Sequence, residues 1–124
     1  MNLKIISLLA IAAQYTSAQT CVDSPLKFKY LGDTFNCRSV QNNPDLCSEG
    51  GTISGRISTH CPVTCGVDVA DCAMVDSEMR FKIMIPGAYV WKRCSTWVPK
   101  NNSCKKCLKA GVVDTCPTAC AVAC

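Results

Sequence analysis

Twelve cysteines in a chain of 124 residues limit what this protein can fold into. All of them lie between Cys21 and Cys124, and their number is even. This density is typical of a chain held together by disulfides, because small segments gain too little from apolar burial to be stable without such links. We therefore predict a small disulfide-rich fold of short helices and loops, organised as two tandem modules that are each stapled by cystines.

The N-terminal segment indicates the compartment in which the cysteines become oxidised. Lys4 precedes a short apolar run from Ile5 to Ala13, and Thr16-Ser17-Ala18 offers a cleavage site of small residues. This pattern predicts a secretory signal peptide at residues 1–18 and a mature chain that starts at Gln19. No other stretch is long and apolar enough to cross a bilayer. We expect a secreted, extracellular protein without a transmembrane segment.

An internal repeat divides the rest of the chain. DSPLKFKY at 23–30 aligns with DSEMRFKI at 76–83, and nine residues separate Cys37 from Cys47 as well as Cys94 from Cys104. A C-P-x-x-C motif lies near the end of both copies, at residues 61–65 and 116–120. Agreement in one register predicts a duplicated module of about fifty residues. The predicted modules are residues 21–72 and 73–124.

Local patterns within each copy predict short elements. The segments LKFKY and MRFKI alternate apolar and basic residues, which indicates an extended segment with one buried face. Residues 53–60 and 108–115 are expected to form one or two helical turns before each C-P-x-x-C motif. On a helix the two cysteines of that motif share one face, so each should reach a partner outside the motif. Asp23 and Asp76 are expected in turns or caps.

The first copy resembles a known family. Its C-x-D start at Cys21-Val22-Asp23 and its ending at Cys61-Pro62-Val63-Thr64-Cys65-Gly66 are similar to the sea-anemone potassium-channel-toxin (ShKT) domain, which has six cysteines. The resemblance covers residues 21–72 well and 76–124 less well. Sequence alone leaves the connectivity open. The family pattern implies the disulfides Cys21–Cys72, Cys37–Cys61 and Cys47–Cys65.

The second copy departs from the family pattern. Met74 stands where the first cysteine is expected, and an additional cysteine appears at Cys107. If Cys107 replaces the missing one, the resemblance implies the pairs Cys94–Cys116, Cys104–Cys120 and Cys107–Cys124. A rival assignment gives Cys72 to the second module and leaves Cys21 to pair elsewhere.

The residues do not indicate an enzyme or a metal protein. Cys104-Lys105-Lys106-Cys107 is a C-x-x-C sequence, but the secretory start favours structural cystines over redox or zinc chemistry. His60 is the only histidine, and no nucleophile signature accompanies it. No motif for nucleic acid is present. We expect no catalytic residues, no cofactor, no metal site and no nucleic-acid partner.

Charge is distributed unevenly between the copies. Residues 21–72 hold four basic and six acidic residues, whereas residues 73–124 hold eight basic and three acidic ones. This asymmetry indicates an anionic partner for the second copy, and its basic loop makes Lys105, Lys106 and Lys109 candidate binding residues. The channel-blocking members of the family use a lysine followed by a tyrosine, but Ala110 follows Lys109 here. The resemblance therefore implies a channel-blocking role only weakly.

Two further surface features concern the second copy. Asn101-Asn102-Ser103 is a glycosylation sequon, which makes Asn101 a candidate for an N-linked glycan. Tyr89, Trp91 and Trp97 lie close to Cys94 in sequence. They fit either a sugar-binding or interface cluster or a small core packed over the disulfides, and the second interpretation is favoured.

These observations predict a secreted, non-enzymatic protein whose cystine frames present loops to an extracellular protein or polysaccharide. The alternative is a channel-blocking toxin or a membrane-active defence peptide that acts through the basic second copy.

Overall fold

The computed structural model describes residues 20–51 and 55–124. The predicted signal peptide at 1–18 and the predicted new N-terminus at Gln19 lie outside the described residues. We call residues 20–72 the first half and residues 73–124 the second half. The first half contains strands β1 (Phe28–Tyr30), β2 (Asp33–Phe35), β3 (Gly50–Gly51) and β4 (Gly55–Arg56), helices α1 (Cys37–Asn42), α2 (Ile57–His60) and α3 (Val69–Cys72), and a 3₁₀ helix at Pro44–Ser48.

The second half begins with a β-hairpin and continues with short helices. Its elements are strands β5 (Arg80–Ile85) and β6 (Ala88–Lys92), followed by helices α4 (Cys94–Trp97), α5 (Ser103–Cys107), α6 (Val112–Thr115) and α7 (Pro117–Ala123). Gly87 has φ +83, so the Pro86-Gly87 turn uses a backbone conformation that glycine adopts without strain. The helical turns expected within residues 53–60 and 108–115 are α2 and α6, but each covers only the last four residues of its range, and residues 55–56 form strand β4 instead.

A four-stranded antiparallel sheet joins the two halves, with strand order β2-β1-β5-β6. Its central pair places Phe28 opposite Phe81 and Lys29 opposite Arg80. The two predicted extended segments are thus neighbours in one sheet. The predicted fold of short helices and loops is incomplete, because it omits this sheet and the strand β6. Local alternation identifies a strand, but it does not specify which distant strand will pair with it.

Each half has its own apolar cluster, and each cluster includes a residue of the other half. Met79 of the second half is buried in the first-half cluster beside Phe28, Val40 and Ile57. Leu26 of the first half packs against the second-half cluster, whose buried members are Phe81, Ile83, Cys94, Val98, Cys107, Val112, Cys116 and Cys120. The exchange means that neither cluster is complete without the other half of the chain.

Polar contacts cross the junction in a reciprocal pattern. The Ser24 hydroxyl of the first half is hydrogen-bonded to the Thr115 hydroxyl of the second. The Ser77 hydroxyl of the second half lies 2.8 Å from Nδ1 of His60 in the first. Ser24 and Ser77 occupy the same position of the predicted sequence repeat, as do His60 and Thr115. The chain therefore connects its halves through two equivalent hydrogen bonds.

Six disulfides link all twelve cysteines. Cys21–Cys72, Cys37–Cys61, Cys47–Cys65 and Cys94–Cys116 have the connectivity that the family resemblance implies. The rival assignment, which separated Cys21 from Cys72, does not agree with this structure. No free cysteine is present in the described part of the chain.

The last two disulfides differ from the prediction. The structure has Cys104–Cys124 and Cys107–Cys120 in place of the predicted Cys104–Cys120 and Cys107–Cys124. The observed pairs are nested, as expected when α5 and the C-terminal α7 run in opposite directions against each other. The prediction treated Cys107 as a substitute for the missing first cysteine and so gave it the terminal partner. Because α5 and α7 run in opposite directions, Cys107 pairs with Cys120, and Cys104 pairs with the terminal Cys124.

The two aspartates at the start of the predicted repeats act as caps for the two C-P-x-x-C motifs. Asp23 accepts hydrogen bonds from the backbone N–H groups of Val63 at 2.8 Å and Thr64 at 3.2 Å. Asp76 accepts from the N–H of Thr118 at 2.7 Å. The predicted cap roles are confirmed. Residues 62–66 form a turn and not a helix, whereas residues 117–123 form helix α7.

Candidate functional site

One face of the four-stranded sheet is directed away from both apolar clusters. Residues directly opposite each other in an antiparallel pair share a face, and alternate residues along a strand change face. Phe28, Phe81 and Ile83 are buried on the inner face. The strand register therefore puts seven residues on the opposite face, which we call the outer face: Lys29, Thr34, Arg80, Lys82, Met84, Tyr89 and Trp91.

Cations and aromatic rings are paired on the outer face. The Lys82 ammonium lies 4.4 Å from the centroid of the Tyr89 ring. The Lys29 ammonium, which belongs to the first half, lies 5.4 Å from the ring of Trp91 in the second. Attraction between an ammonium and a ring face at such distances is worth about 0.5–1 kcal/mol at exposed sites. Each ring thus has a positive charge held beside it.

The outer face is positively charged and accessible. Its seven residues include Lys29, Arg80 and Lys82 but no carboxylate. Arg80 is exposed, and 61% of the Tyr89 surface is accessible. Arg93, just beyond β6, donates from Nη1 to the backbone oxygen of Glu78, so it is engaged at the end of the sheet. The arrangement can bind a negatively charged group beside a flat apolar surface.

A groove continues from the outer face at the open side of β5. It consists of two adjoining cavities of about 350 and 290 Å³ that share Leu26, Lys82 and Tyr89. Lys109 lines one cavity, and Lys27 lines the other. We call this the Tyr89 groove and define it by Leu26, Lys27, Lys82, Tyr89 and Lys109.

Proline and glycine explain why the groove is open at this position. Extending the register of β1 and β5 would place Pro25 opposite Met84, and proline has no N–H to donate to a neighbouring strand. The chain before β1 instead passes close to Gly111, which has φ +83. A Cβ atom at Gly111 would lie 2.8 Å from Cγ of Pro25. Glycine therefore permits this close approach beside the groove.

The three predicted binding lysines have different environments. Lys109 lines the Tyr89 groove, and Lys105 is exposed on α5. Lys106 donates from Nζ to the backbone oxygen of Trp97 at 2.6 Å and lies 5.3 Å from the Trp97 ring centroid. Partial loss of hydration, followed by the nearby positive charges of Lys100 and Lys92, lowers the pKa of Lys106. Lys106 thus has a role within the fold, and Lys109 is the one of the three that lines the groove.

The aromatic residues near Cys94 separate into two groups. Trp97 packs against the second-half cluster, with its ring edge-on to Phe81 at 6.1 Å. Tyr89 and Trp91 lie on the outer face, so the favoured interpretation, in which all three cover the disulfides, is wrong for these two. Tyr89 and Trp91 lie two residues apart in the segment that follows the Pro86-Gly87 turn. This spacing could have predicted an edge strand with both rings on one face.

His60 is buried and structural. Its Nε2 donates to the backbone oxygen of Leu26 at 2.7 Å, because a carbonyl can only accept. Its Nδ1 therefore accepts from the Ser77 hydroxyl. Burial lowers the pKa of His60 to about 4 against the opposing effects of the Leu26 carbonyl and the Asp23 charge. The Nδ1 contact to Ser77 joins the two halves, whereas the Nε2 contact to Leu26 lies within the first half.

The glycosylation candidate is on the surface. Asn101 is exposed in a bend between α4 and α5, and the Ser103 hydroxyl of the sequon donates to the backbone oxygen of Lys100. This position is accessible to a transferase, and occupancy of the site stays a prediction.

Two further properties of the described residues concern metal binding and membrane insertion. Within residues 20–51 and 55–124, no group of three or more His, Cys, Asp or Glu side chains is placed to hold a metal ion. In the same part of the chain, no helix is both long and apolar enough to cross a membrane.

Comparison of the chain with protein-family models, with curated proteins and with solved structures gives no match. The resemblance to the ShKT domain therefore remains a prediction based on the cysteine order and the motifs.

Proposed function

We propose that this chain is a secreted, non-enzymatic protein of two tandem ShKT-like modules that binds an anionic extracellular protein or polysaccharide. The observation that carries the proposal is the outer face, where Lys29 and Lys82 lie beside the rings of Trp91 and Tyr89. The first half contributes Lys29 and the second half the other three residues. The predicted duplication would thus create one binding surface from two modules.

Equivalent contacts at repeated positions support the tandem arrangement. Ser24 N–H donates to the backbone oxygen of His60 at 2.9 Å, and Ser77 N–H donates to that of Thr115 at 2.8 Å. The capping aspartates, the central strands and the disulfides Cys37–Cys61 and Cys94–Cys116 also correspond. Such correspondence is expected if one module was duplicated.

A rigid frame favours binding by the sheet surface. Disulfides and strand pairing hold the backbone below the outer face, so a ligand would order mainly side chains on binding. The smaller loss of conformational entropy leaves more of the interaction energy available for affinity. Partial ordering of Lys29 and Lys82 beside aromatic rings reduces that loss further.

Retention on anionic and neutral matrices tests the proposal. The oxidised protein should be retained on a sulfated or carboxylated matrix, be eluted by salt, and pass through an uncharged matrix of the same polymer. The double variant Arg80→Gln/Lys82→Gln should elute at clearly lower salt, whereas the control Lys105→Gln/Lys100→Gln, with the same charge, should change elution less. Equal losses for the two variants would show that only net charge matters.

The toxin or membrane-active alternative rests on a different surface. Leu108 is 81% exposed directly after the basic helix α5, and Val122 on α7 is 86% exposed. Apolar side chains beside lysines are typical of surfaces that attach to anionic bilayers. Release of dye from anionic vesicles, lost in Leu108→Ser and kept in Lys82→Gln, would favour this alternative over the outer face.

A further inference from the structure

We infer that the ligand of the outer face and the Tyr89 groove is an anionic polysaccharide, a sugar chain carrying sulfate or carboxylate groups. This inference rests on the proposed function and narrows it to one chemical class. An acidic protein or peptide is the competing ligand, and the two classes differ in what they require from a surface.

The spacing of the aromatic rings is the first argument. Tyr89 and Trp91 are two residues apart on β6, so their attachment points lie about 7 Å apart on the same face. Each ring has a lysine ammonium beside it, from Lys82 in one case and Lys29 in the other. The surface therefore repeats one unit, an aromatic face with an adjacent cation. A charged polysaccharide also repeats an apolar ring face with an anionic substituent.

The shape of the surface is the second argument. Protein partners are usually anchored by a few large side chains that enter well-packed, dehydrated pockets. The outer face offers flat rings that are partly covered by lysine side chains, and its aliphatic contribution is the exposed side chain of Met84. A flat, charged strip fits a polymer that lies along the sheet better than it fits the apolar anchor of a folded protein.

The Tyr89 groove is the third argument, because it gathers charges from three separate segments. Lys27 precedes β1, Lys82 belongs to β5 and Lys109 precedes α6, and none of the residues that line the two cavities is acidic. Cavities of about 350 and 290 Å³ are near the lower end of the range for small-ligand sites. The groove can hold one sugar unit against Tyr89 with its anionic group among the lysines, while the rest of the chain continues toward Trp91.

Calorimetric titration of the full oxidised mature protein tests the inference. The probes are dextran sulfate, unsulfated dextran of equal length, and poly-L-glutamate of equal charge, at about 0.15 M salt. We expect measurable binding of dextran sulfate, binding of poly-L-glutamate weaker by about tenfold or more, and no binding of dextran. The tenfold gap is the contribution expected from sugar rings on Tyr89 and Trp91.

Substitutions then assign the site. Lys82→Gln and Lys109→Gln should each weaken dextran sulfate binding by about three- to tenfold, and Tyr89→Ala by about fivefold. Lys105→Gln, which removes an exposed lysine outside the groove, is the matched control and should change the affinity by less than about twofold. Tyr89→Leu provides a second test of the ring if the alanine variant does not form all disulfides.

Three results would overturn the inference, and they are distinguishable. If poly-L-glutamate binds as tightly as dextran sulfate and is weakened by the same substitutions, the sugar assignment is wrong and the proposed anion-binding function stands. If neither polyanion binds, both are wrong. If dextran sulfate binds but the Tyr89, Lys82 and Lys109 variants behave like the Lys105 control, binding is unspecific and the site is wrong.

Discussion

His60 and Thr115 occupy equivalent positions in the two halves. Each forms the same kind of contact with the other half, but through a different side-chain group. Each directly precedes a C-P-x-x-C motif, and each backbone oxygen accepts a hydrogen bond from the serine of its own half. Each side chain is hydrogen-bonded to the serine of the other half. One contact uses an imidazole and the other a hydroxyl. The comparison shows that the halves are connected by reciprocal contacts, of which one contains a group that titrates and the other does not.

The halves also differ in how their ends are fixed. Cys21–Cys72 ties the start of the first half to its end across 51 positions. The second half has no disulfide at its start, and Cys104–Cys124 closes only its last 20 positions. Residues 76–80 are therefore held by the Asp76 cap, by the burial of Met79 in the first-half cluster and by strand pairing. The second half should depend on the first for its folding.

The largest expected effect comes from the facing pair at the centre of the sheet. Phe28 and Phe81 are fully buried, one in each cluster. Phe28→Ala and Phe81→Ala should each lower the free energy of unfolding by about 3–5 kcal/mol. Because the sheet is shared, denaturant unfolding of the oxidised protein should remain one transition in both variants.

The control for this pair is Leu31→Ala in the β1–β2 turn. Leu31 is 76% exposed, so its substitution should change the free energy of unfolding by less than about 0.5 kcal/mol. Two separate transitions in either phenylalanine variant would mean that the halves fold independently, contrary to the shared core described above.

The next effect concerns the pH dependence of stability, because the His60 side chain titrates and the Thr115 side chain does not. The folded-state pKa of His60 is lowered to about 4, so between this value and its ordinary value the unfolded chain binds a proton that the folded chain does not. The free energy of unfolding should be unaffected by this group above about pH 6.5 and fall by about 2 kcal/mol between about pH 6.5 and 5, where few carboxylates titrate.

Because the chain has a single histidine, this slope can be assigned to one residue. His60→Thr, which copies the second half, should be less stable at neutral pH but nearly independent of pH in that window. Denaturant unfolding at several pH values measures both properties. An unchanged slope in His60→Thr would assign the pH dependence to other groups.

The smallest effect compares the two capping aspartates. Asp23 accepts hydrogen bonds from the Val63 and Thr64 N–H groups and from the Thr64 hydroxyl, whereas Asp76 accepts from the Thr118 and Ala119 N–H groups. Asp23→Ala and Asp76→Ala should each lower the free energy of unfolding by about 1–2 kcal/mol, with the larger loss at Asp23, because three donor groups lose their acceptor there and two lose it at Asp76. Thermal unfolding of both variants tests which one loses more stability, and a larger loss in Asp76→Ala would contradict the prediction.

The sequence predicted those features that depend on local pattern. Alternation identified the segments of β1 and β5, the predicted repeat identified Asp23 and Asp76, and the family resemblance implied four of the six observed disulfides. Pairing of β1 with β5 is a long-range event, and no local signal specifies it. Prediction failed at Cys104 and Cys107 because their partners depend on how α5 packs against α7.

The candidate site was predicted only in part for the same reason. Lys109 was identified from the basic loop, but its neighbours Lys27 and Lys82 are distant in sequence, and only the fold brings them together. The outer face combines Lys29 of one half with Trp91 of the other. A surface composed of residues from both halves is not visible in the sequence of either half alone.

Nuclear magnetic resonance titration of the ¹⁵N-labelled protein with dextran sulfate tests most directly whether the two halves form one binding surface. We expect shifts at Lys29 in the first half together with Arg80, Lys82, Tyr89 and Trp91 in the second, at the same ligand concentrations. Shifts confined to Lys105, Leu108 and helix α7, or to one half of the sheet, would contradict it.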